Sequence, residues 1–489
     1  MDFLDPKKKR GQAIRLMVGY VLVGIAIALA SFVLLLQAYG YDLNRQTGQV
    51  IQNGLVFVAS HPVSADLYLN GAHKGTTSKR LTIEAGQYTV SLKQKGYRSW
   101  QRTFTLQGGK VEQLVYPVLF PTKLNTSDTL LYKSTPVFAT QSPDRRWLLV
   151  QQPGLVTSFD NFDLNNPAAA PTNIILPSGL LSPSSSLDTL TLVEWSTDNR
   201  HVLVQHTYSG GNEFVMIDRQ EPSSSYNVNK QFGVIPTMVA LRNKRYDQLY
   251  LFDATTKSLQ KAETKGNKIT PLLTGVISFK AFGNNIVVYA TDDSQTPGKN
   301  AIKIWDGKRS YLLHHYPSTA KYALDMATYN DHTYIVVAPV GGGLAYIYKD
   351  ALNQAKQSAK TSPSPFTTLR LEQLAYVSFS ANAQFIMAQS GSRFAVYDIE
   401  RSHRYVYELK DLVTVDQKAT WMDGHRVVLV INSKTFVFDF DGINQQTLTS
   451  SAAGLLPFFD RDYENLYNIA PSVQVPDRSA LTRTPLIVK

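Results

Sequence analysis

The chain has 489 residues, beyond the size at which a single hydrophobic core stops growing, so we expect two or more domains. It contains no cysteine, and this excludes disulfide bonds, cysteine-ligated zinc or iron–sulfur centres and thiol catalysis. The net charge of +11 is unevenly placed, because residues 43–123 carry ten Lys and Arg against three acidic residues, whereas the remaining C-terminal region is nearly neutral.

The first predicted element is an uncharged apolar stretch of 21 residues from Leu16 to Leu36. A helix of this length spans roughly 30 Å, the thickness of the hydrocarbon core of a bilayer. The basic cluster Lys7–Arg10 precedes it, and basic residues are retained on the cytoplasmic side of a membrane. We therefore predict a protein of the cell membrane with a cytoplasmic basic tail (1–15), a single-pass transmembrane signal-anchor helix (16–38), a stalk (39–53) and extracytoplasmic C-terminal domains.

A cleaved signal peptide is the alternative to an uncleaved anchor. Ala28-Leu29-Ala30 has the small-residue pattern that signal peptidase accepts. The apolar run continues past this site through Phe32 to Leu36, which makes it longer than the core of a usual signal peptide. This length favours the uncleaved anchor.

Residues 54–120 show the alternation of apolar and polar residues that is typical of strands. Asn70-Gly71 lies between two such segments, and this dipeptide favours a tight hairpin because both residues tolerate a positive φ. Gly86 and Gly96 mark further turns. Five or six short strands without a helical pattern predict a small antiparallel β-sandwich.

The turn residues of this segment follow one another in a distinctive order, namely Ser60-x-Pro62, Ala65-x-Leu67-x-Leu69-Asn70-Gly71, Gly75-Thr76-Thr77, Ala85-Gly86-x-Tyr88-x-Val90-x-Leu92 and Lys95-Gly96-Tyr97. This order resembles the PEGA domain, a small β-sandwich module common in bacterial surface and signalling proteins. Two residues depart from the family pattern, because Ser64 and Ser78 stand where glycine and proline are common. The resemblance implies a non-enzymatic spacer or binding module near the cell wall.

The same segment holds most of the basic excess. A basic surface attracts polyanions over long distances, so an anionic cell-wall polymer is a possible partner. The alternative is a solvated surface that serves solubility alone. The candidate polyanion-binding residues are Lys79, Arg80, Lys93, Lys95, Arg98 and Arg102.

After residue 123 the sequence repeats two elements. The first is a polar turn followed by an apolar strand, with copies that begin at Ser142, Ser196, Asn284, Asp331, Ser380, Asp423 and Asp460. The second is a strand that ends in an aromatic residue or Ile followed by Asp, at Phe162-Asp163, Ile217-Asp218, Phe252-Asp253, Trp305-Asp306, Tyr397-Asp398 and Phe438-Asp439, with a looser copy at Tyr348-Lys349-Asp350.

Repeats of about 40–50 residues with four strands each are typical of β-propeller blades. We therefore predict a propeller of seven or eight blades over residues 124–489, in which residues 124–137 supply an outer strand to the C-terminal blade and close the ring. The Ser-Pro-Asp-type turn resembles the repeats of Tol-system and WD-like bacterial propellers, a resemblance of fold only. The predicted fold is all-β, with one N-terminal transmembrane helix and a small PEGA-like β-sandwich (54–120) before the propeller.

No sequence pattern predicts catalytic, cofactor-binding or metal-binding residues. The chain lacks a Gly-x-Ser-x-Gly nucleophile elbow, a phosphate-binding loop and a dinucleotide fingerprint. Ser142 and Asp144, which precede Trp147, are expected to form a turn rather than a catalytic site. His314 and His315 are neighbours on a predicted strand and point to opposite faces, so they chelate a metal poorly.

These features predict a non-enzymatic cell-surface binding or scaffold protein. Propeller loops from every blade meet at the ends of the ring, which suits recognition of a protein or a glycan. We expect no cofactor and no nucleic-acid partner. The alternative is a surface glycan hydrolase or lyase whose catalytic groups line the central funnel of the propeller.

Overall fold

The computed structural model of the protein describes residues 6–38, 40–43, 50–183, 188–292, 296–357, 362–475 and 477–488. The chain divides into two compact units. The first comprises residues 1–123 together with 487–489, and the second comprises residues 124–486. Strands dominate both units, and one long helix lies near the N-terminus, so the all-β prediction with a single N-terminal helix is confirmed.

The first unit begins with α1, Pro6–Ala38, a helix of 33 residues. Proline suits the first position of a helix because its missing N–H has no partner there anyway. The segment Gly11–Ala38 is long and apolar enough to cross a membrane, and its large side chains, such as Leu22 and Phe32, are more than half exposed. A helix of this kind near an N-terminus acts as a membrane anchor or as a signal sequence.

The strands of the first unit are β1 Tyr41–Leu43, β2 Val50–Val58, β3 Asp66–Leu69, β4 Ala72–Thr76, β5 Lys79–Glu84, β6 Gly86–Lys93, β7 Trp100–Leu106 and β8 Val111–Leu114. They form two four-stranded sheets. In one sheet β2 pairs with β1, β5 and β8, and in the other the order is β4-β3-β6-β7. The buried side chains of Val56, Leu67, Leu92 and Trp100 form the core between them.

This sandwich differs from the prediction in two details. Seven strands (β2–β8) lie in the segment instead of five or six, and β8 runs parallel to β2, with Leu55 opposite Val111, so the sandwich is not wholly antiparallel. The alternation within a strand shows which residues face the core but not which way the strand runs. The Asn70-Gly71 hairpin is present, with φ of 48° and 81° at its two residues.

The second unit contains eight four-stranded antiparallel sheets in the residues that the structure describes, so the propeller has eight blades. Its first strand is β9, Ser127–Tyr132. Blade 1 comprises β10 Ala139–Gln141, β11 Trp147–Gln151, β12 Ser158–Asp163 and β13 Thr172–Ile175, and blade 2 comprises β14 Thr189–Trp195, β15 His201–Tyr208, β16 Gly211–Asp218 and β17 Tyr226–Asn227. Blade 3 comprises β18 Met238–Leu241, β19 Gln248–Asp253, β20 Ser258–Glu263 and β21 Lys268–Leu273, and blade 4 comprises β22 Val276–Ala281, β23 Val287–Asp292, β24 Lys299–Trp305 and β25 Ser310–Pro317.

Blades 5–8 complete the ring. Blade 5 comprises β26 Tyr322–Tyr329, β27 His332–Pro339, β28 Leu344–Lys349 and β29 Thr367–Arg370, and blade 6 comprises β30 Tyr376–Phe379, β31 Phe385–Ser390, β32 Arg393–Asp398 and β33 His403–Glu408. Blade 7 comprises β34 Thr420–Trp421, β35 Arg426–Ile431, β36 Lys434–Asp439 and β37 Gln446–Ser450, and blade 8 comprises β38 Phe458–Phe459, β39 Asn465–Pro471 and β40 Ser479–Pro485 together with β9. The outer strand of blade 8 is β9, which pairs with β40 through Tyr132 and Ser479. The predicted closure of the ring by residues 124–137 is therefore confirmed.

The core of the propeller lies between neighbouring blades. Every residue of β31 and β35 is buried, because an adjacent blade covers each face of these strands. Between blades 4 and 5, for example, Val288 and Ile302 pack in one cluster with Ile335 and Val337. Each such side chain contributes about 1.5–3 kcal/mol when fully buried. Two short α-helices, α2 Val228–Phe232 and α3 Ala351–Gln357, and two 3-10 turns, Pro222–Ser224 and Arg242–Lys244, lie in the connections.

Candidate ligand-binding face of the propeller

The four strands of each blade define two ends of the ring. We name the strands of each blade a to d in sheet order, and strand a is the innermost. The first strands of neighbouring blades contact one another, as β14 does β18 and β22 does β26, which places them nearest the axis of the ring. Because the strands are antiparallel, the a–b and c–d connections emerge at one end, the turn face, and the b–c and d–a connections emerge at the other, the loop face.

The repeated polar turns are a–b connections of the turn face. Ser142 Oγ accepts the backbone N–H of Trp147 at 2.9 Å, and Asp144 Oδ1 accepts that of Arg146 at 3.1 Å. In blade 2, Asp198 Oδ1 accepts the backbone N–H groups of Arg200 and His201 in the same way. These side chains stabilise their own turns, as Ser and Asp commonly do.

Most of the repeated aspartates also belong to the turn face. Asp163, Asp218 and Asp398 end c strands, and their side chains accept backbone N–H groups of the following turn. Each also pairs with an arginine, and the Arg146–Asp163 and Arg200–Asp218 distances are 2.7 and 2.5 Å. The hydrogen bond from Arg146 lowers the pKa of Asp163. The other c-strand aspartates are Asp306, Asp350 and Asp439.

Phe252-Asp253 was wrongly grouped with these elements. It ends β19, which is the b strand of blade 3, so Asp253 lies on the loop face. The c strand of this blade ends at Glu263, which takes the usual aspartate position and pairs with Arg242 at 2.6 Å. An aromatic residue followed by Asp marks the end of a strand but does not show which strand of the blade it is.

Side chains at the centre of the turn face connect the blades to one another. The backbone N–H of Asp144 donates to Asn199 Oδ1 at 3.1 Å, and that of Asn285 donates to Asn243 Oδ1 at 2.9 Å. The Arg145 guanidinium donates to the Met422 carbonyl oxygen in blade 7 and lies 4.5 Å from the ring centre of Tyr463 in blade 8. These polar groups at the centre of the turn face are therefore engaged within the propeller.

The loop face has a different surface. Eight of the eleven exposed large hydrophobic residues in the described inter-strand connections lie there, and three lie on the turn face. Ile235 and Leu412 are 83% and 86% exposed. Concentrated exposed apolar side chains mark interaction surfaces more often than scattered ones do. The eight residues are Val137, Leu155, Ile235, Leu412, Val415, Leu456, Val473 and Val475.

A pocket of about 420 Å³ opens on the loop face at blade 3. Ile235, on its rim, belongs to the d–a connection that leads into blade 3. Asp253, at the end of strand b, is the acidic residue of the lining. Its Oδ1 accepts the Thr255 backbone N–H at 2.8 Å and its Oδ2 accepts the Thr256 hydroxyl at 2.7 Å. The lining residues are Val234, Ile235, Pro236, Leu251, Phe252, Asp253, Thr256, Ser258 and Gln260.

The sandwich of the first unit can now be assigned. Residues 53–117 match the family description "PEGA domain". This segment is a PEGA domain. The chain therefore combines a candidate membrane helix, a PEGA domain and a β-propeller. The exposed Ser64 has φ of 66°, a conformation that favours glycine, which explains why the family commonly has glycine at this position.

Solved propellers are similar to this chain at low identity. Kluyveromyces lactis Hsv2 is 11% identical with a TM-score of 0.40, and the match covers 65% of this chain and 98% of that protein. The Myceliophteria thermophila Cps50 (Swd1) β-propeller domain is 12% identical with a TM-score of 0.39, over 67% and 100%. The Dos1 propeller is 11% identical with a TM-score of 0.42, over 75% and 95%. A search of curated proteins finds no match.

The predicted polyanion-binding residues do not share one face of the PEGA domain. Arg80 lies opposite the exposed Phe57 on the outer side of the β2 sheet, whereas Lys93 lies on the outer side of the other sheet, 5.1 Å from the ring centre of Tyr68. Lys79 donates to the Lys74 carbonyl oxygen. Lys95 and Arg98 lie in the β6–β7 connection, where burial lowers the pKa of Arg98.

The structure removes Arg102 from the predicted set of polyanion-binding residues. This residue is only 6% exposed and lies opposite the buried Val90, on the core side of β7. Strand alternation explains this position, since Trp100 and Leu106 on the same strand are also buried. Arg102 is therefore unavailable to a polymer, and the other five residues form no continuous basic face.

Two histidine arrangements complete the description. His314 and His315 are consecutive residues of β25, and among the residues that the structure describes no group of three or more His, Asp or Glu side chains could hold a metal ion. In blade 2 the fully buried His206 contacts Glu213 at 2.9 Å through Nδ1 and Asp188 at 3.1 Å through Nε2. Sequence reasoning missed this triad, because its members match no motif and only the pairing of β15 with its neighbours brings them together.

Proposed function

We propose that this protein is a non-enzymatic binding or scaffold protein anchored at the extracytoplasmic side of a membrane, and that its propeller binds another protein through the loop face. The observation that carries the proposal is the segregation of exposed apolar side chains onto that face. The turn face, in contrast, uses its polar and charged groups to hold its own turns and neighbouring blades.

The chemistry of the exposed side chains favours a protein partner over a glycan. All eight exposed loop-face residues are Val, Leu or Ile, which lack the polar groups that recognise sugar hydroxyls. Burial of one such side chain in an interface contributes about 1.5–3 kcal/mol, so several of them together offset much of the cost of association. The connections that carry Ile235 and Leu412 extend from different blades, which gives the surface breadth.

The basic residues of the PEGA domain give weaker support to a polymer partner. They are divided between the outer sides of two sheets and a connection, so no single face gathers their charge. We therefore assign the main recognition role to the propeller and a spacer role to the PEGA domain.

The test uses the full-length protein in its native membranes with amine-reactive cross-linking, followed by mass spectrometry. The double variant Leu412→Asp/Val415→Asp places charges on the loop face and should lose at least nine-tenths of any wild-type cross-linked protein partner. Val406→Asp is the matched control, because Val406 is 69% exposed on the outer strand β33 of blade 6 and away from the loop face.

The proposal fails if the control loses the partner as fully as the double variant while both keep the wild-type unfolding midpoint. It also fails if the wild-type protein gives no protein cross-link but degrades or retains a surface glycan. The second outcome favours the hydrolase or lyase alternative, or a glycan ligand.

A further inference from the structure

We infer that the pocket of blade 3 is a recognition site for a lysine or arginine side chain of the protein partner. This inference rests on the proposed function, because the pocket lies within the loop face. Three observations support it. Asp253 lies on the loop face without a basic partner in the described chain, apolar residues line the pocket beside it, and the nearby Lys257 pairs with a different carboxylate.

Asp253 differs from the other repeated aspartates in its electrostatic surroundings. On the turn face, Asp163, Asp218 and Asp398 each have an arginine partner at 3.0 Å or less. In the part of the chain that the structure describes, Asp253 has no Lys, Arg or His within ion-pair distance. Its near neighbour Lys257 is engaged elsewhere, with its Nζ 2.5 Å from Asp292 Oδ2.

The Asp253 carboxylate is held in position and keeps capacity to bind a cation. Hydrogen bonds from the Thr256 hydroxyl and the Thr255 backbone N–H fix its two oxygens and lower its pKa, so the group is anionic at neutral pH. The Thr256 backbone N–H and the Thr255 hydroxyl also interact with it. Such bonds do not prevent ion pairing, since Asp398 accepts two backbone N–H groups and still pairs with Arg401. Charge-assisted hydrogen bonds to Lys or Arg are the strong class of such interactions.

The rest of the pocket suits the stem of the same side chain. Val234, Ile235, Pro236 and Leu251 supply aliphatic surface next to the carboxylate. Lys and Arg bury their methylene stems against such surface while the charged end reaches a polar partner. Ser258 and Gln260 add polar groups from strand c. Its volume of about 420 Å³ leaves room for one such side chain.

The pocket also joins the partner-binding surface proposed above. Ile235 is both part of its lining and, at 83% exposure, among the most exposed apolar residues of the loop face. Met238, which is 46% exposed, begins strand a of the same blade. The charged contact thus lies inside an apolar surface, where an ion pair contributes more to the choice of partner than to raw affinity.

The direct test is a titration of the full-length protein in detergent micelles with the capped peptides acetyl-Leu-Lys-Leu-amide and acetyl-Leu-Arg-Leu-amide. The reference peptide carries norleucine in place of the basic residue. We expect the basic peptides to bind at least tenfold more tightly than the norleucine peptide at low salt, and the preference to shrink at high salt.

Asp253→Asn should abolish that preference while retaining the turn, because an asparagine carbonyl still accepts the Thr255 N–H. The control Asp462→Asn removes an exposed carboxylate of the turn face and should leave the preference unchanged. A wild-type protein that binds all three peptides equally, or a preference that survives Asp253→Asn, overturns the inference.

Cross-linking separates this inference from the proposed function. If Asp253→Asn keeps full cross-linking to the partner while Leu412→Asp/Val415→Asp abolishes it, the loop face binds the partner but the pocket does not recognise a basic residue. If the captured chain is a second copy of this protein, the pocket serves self-association and the assignment to a different partner is wrong. If no partner is captured, the peptide preference alone decides the inference.

Discussion

Replacement of His206 by leucine should be among the most destabilising single changes in the propeller. The imidazole is fully buried and contacts Glu213 at 2.9 Å and Asp188 at 3.1 Å. Both carboxylates are almost completely buried as well. Leucine fills much of the same volume but cannot form either hydrogen bond, so two acidic side chains would lose their shared partner inside the protein.

Two estimates of the cost agree. A hydrogen bond to a charged group contributes about 1.5–3 kcal/mol, so the loss of both bonds costs about 3–6 kcal/mol. Removal of the partner of a buried charged group costs about 3–5 kcal/mol in proteins generally. At roughly 2 °C per kcal/mol for a large chain, we expect the unfolding midpoint to fall by about 6–10 °C.

Differential scanning calorimetry of the full-length protein measures this change. His206→Gln retains one donor and should lose about half as much stability as His206→Leu. His403→Leu alters an exposed histidine of β33 and should change the free energy of unfolding by less than about 0.5 kcal/mol. The reasoning is refuted if His206→Leu lowers the midpoint no more than His403→Leu does.

The same triad gives the propeller a dependence on pH. Burial by itself would raise the pKa of Glu213, but hydrogen bonds from the Ser182 backbone, His206 and Asn227 outweigh it and lower the pKa below the usual 4.5. A carboxyl group with a lowered folded-state pKa stabilises the protein above its unfolded value, and this contribution is lost as the pH falls through the folded pKa. Glu213→Gln should therefore reduce the loss of stability measured below about pH 4.5, and an unchanged acid profile contradicts this reasoning.

Three further predictions concern other parts of the chain. Ser64→Gly should raise the stability of the PEGA domain by about 0.5–1 kcal/mol in urea unfolding, because φ of 66° suits glycine, and destabilisation would contradict this. Arg145→Ala should lower the free energy of unfolding of the propeller by about 1–3 kcal/mol, because it removes the bond to Met422 and the contact with Tyr463. The positive φ of 61° at this position strains arginine and alanine alike, so it does not contribute to the difference. Since the chain has no cysteine, Lys268→Cys should react with an impermeant maleimide in spheroplasts, and labelling only after permeabilisation would disprove the extracytoplasmic orientation.

Local turn chemistry explains how much of the fold the sequence predicts. Asn70-Gly71 adopts the hairpin that its residue types favour, because that conformation depends on neighbouring residues only. The polar turns of the propeller, such as the one that starts at Ser142, are recognisable for the same reason, since their side chains bond their own backbone. The turn of blade 3 was missed because Arg242–Lys244 lacks a Ser or Asp of this kind.

The candidate site was much less predictable, because it depends on which end of the ring each connection reaches. Phe252-Asp253 has the same local pattern as Phe162-Asp163, yet the two lie on opposite faces, and only the order of strands within the blade distinguishes them. Likewise, an apolar residue such as Leu412 in a polar connection does not reveal its exposure from sequence alone. Arg102 shows the opposite case, a charged residue whose burial depends on strand register.

The two faces of the propeller are under different physical demands, and this explains why function is assigned to only one of them. The a–b turns crowd around the axis, where buried backbone groups need partners, so residues such as Asp144 and Asn243 are occupied by neighbouring blades. The b–c and d–a connections also bond one another, as the Val413 N–H does to Ser392 Oγ, but they carry exposed apolar residues such as Ile235. Blade 3 differs from the other blades in two ways. Its aromatic-Asp pair ends strand b and so lies on the loop face, and no basic residue of the described chain lies within ion-pair distance of Asp253. A carboxylate placed in this way gains its cation only from a partner, which is why Asp253→Asn should alter recognition with little effect on the fold.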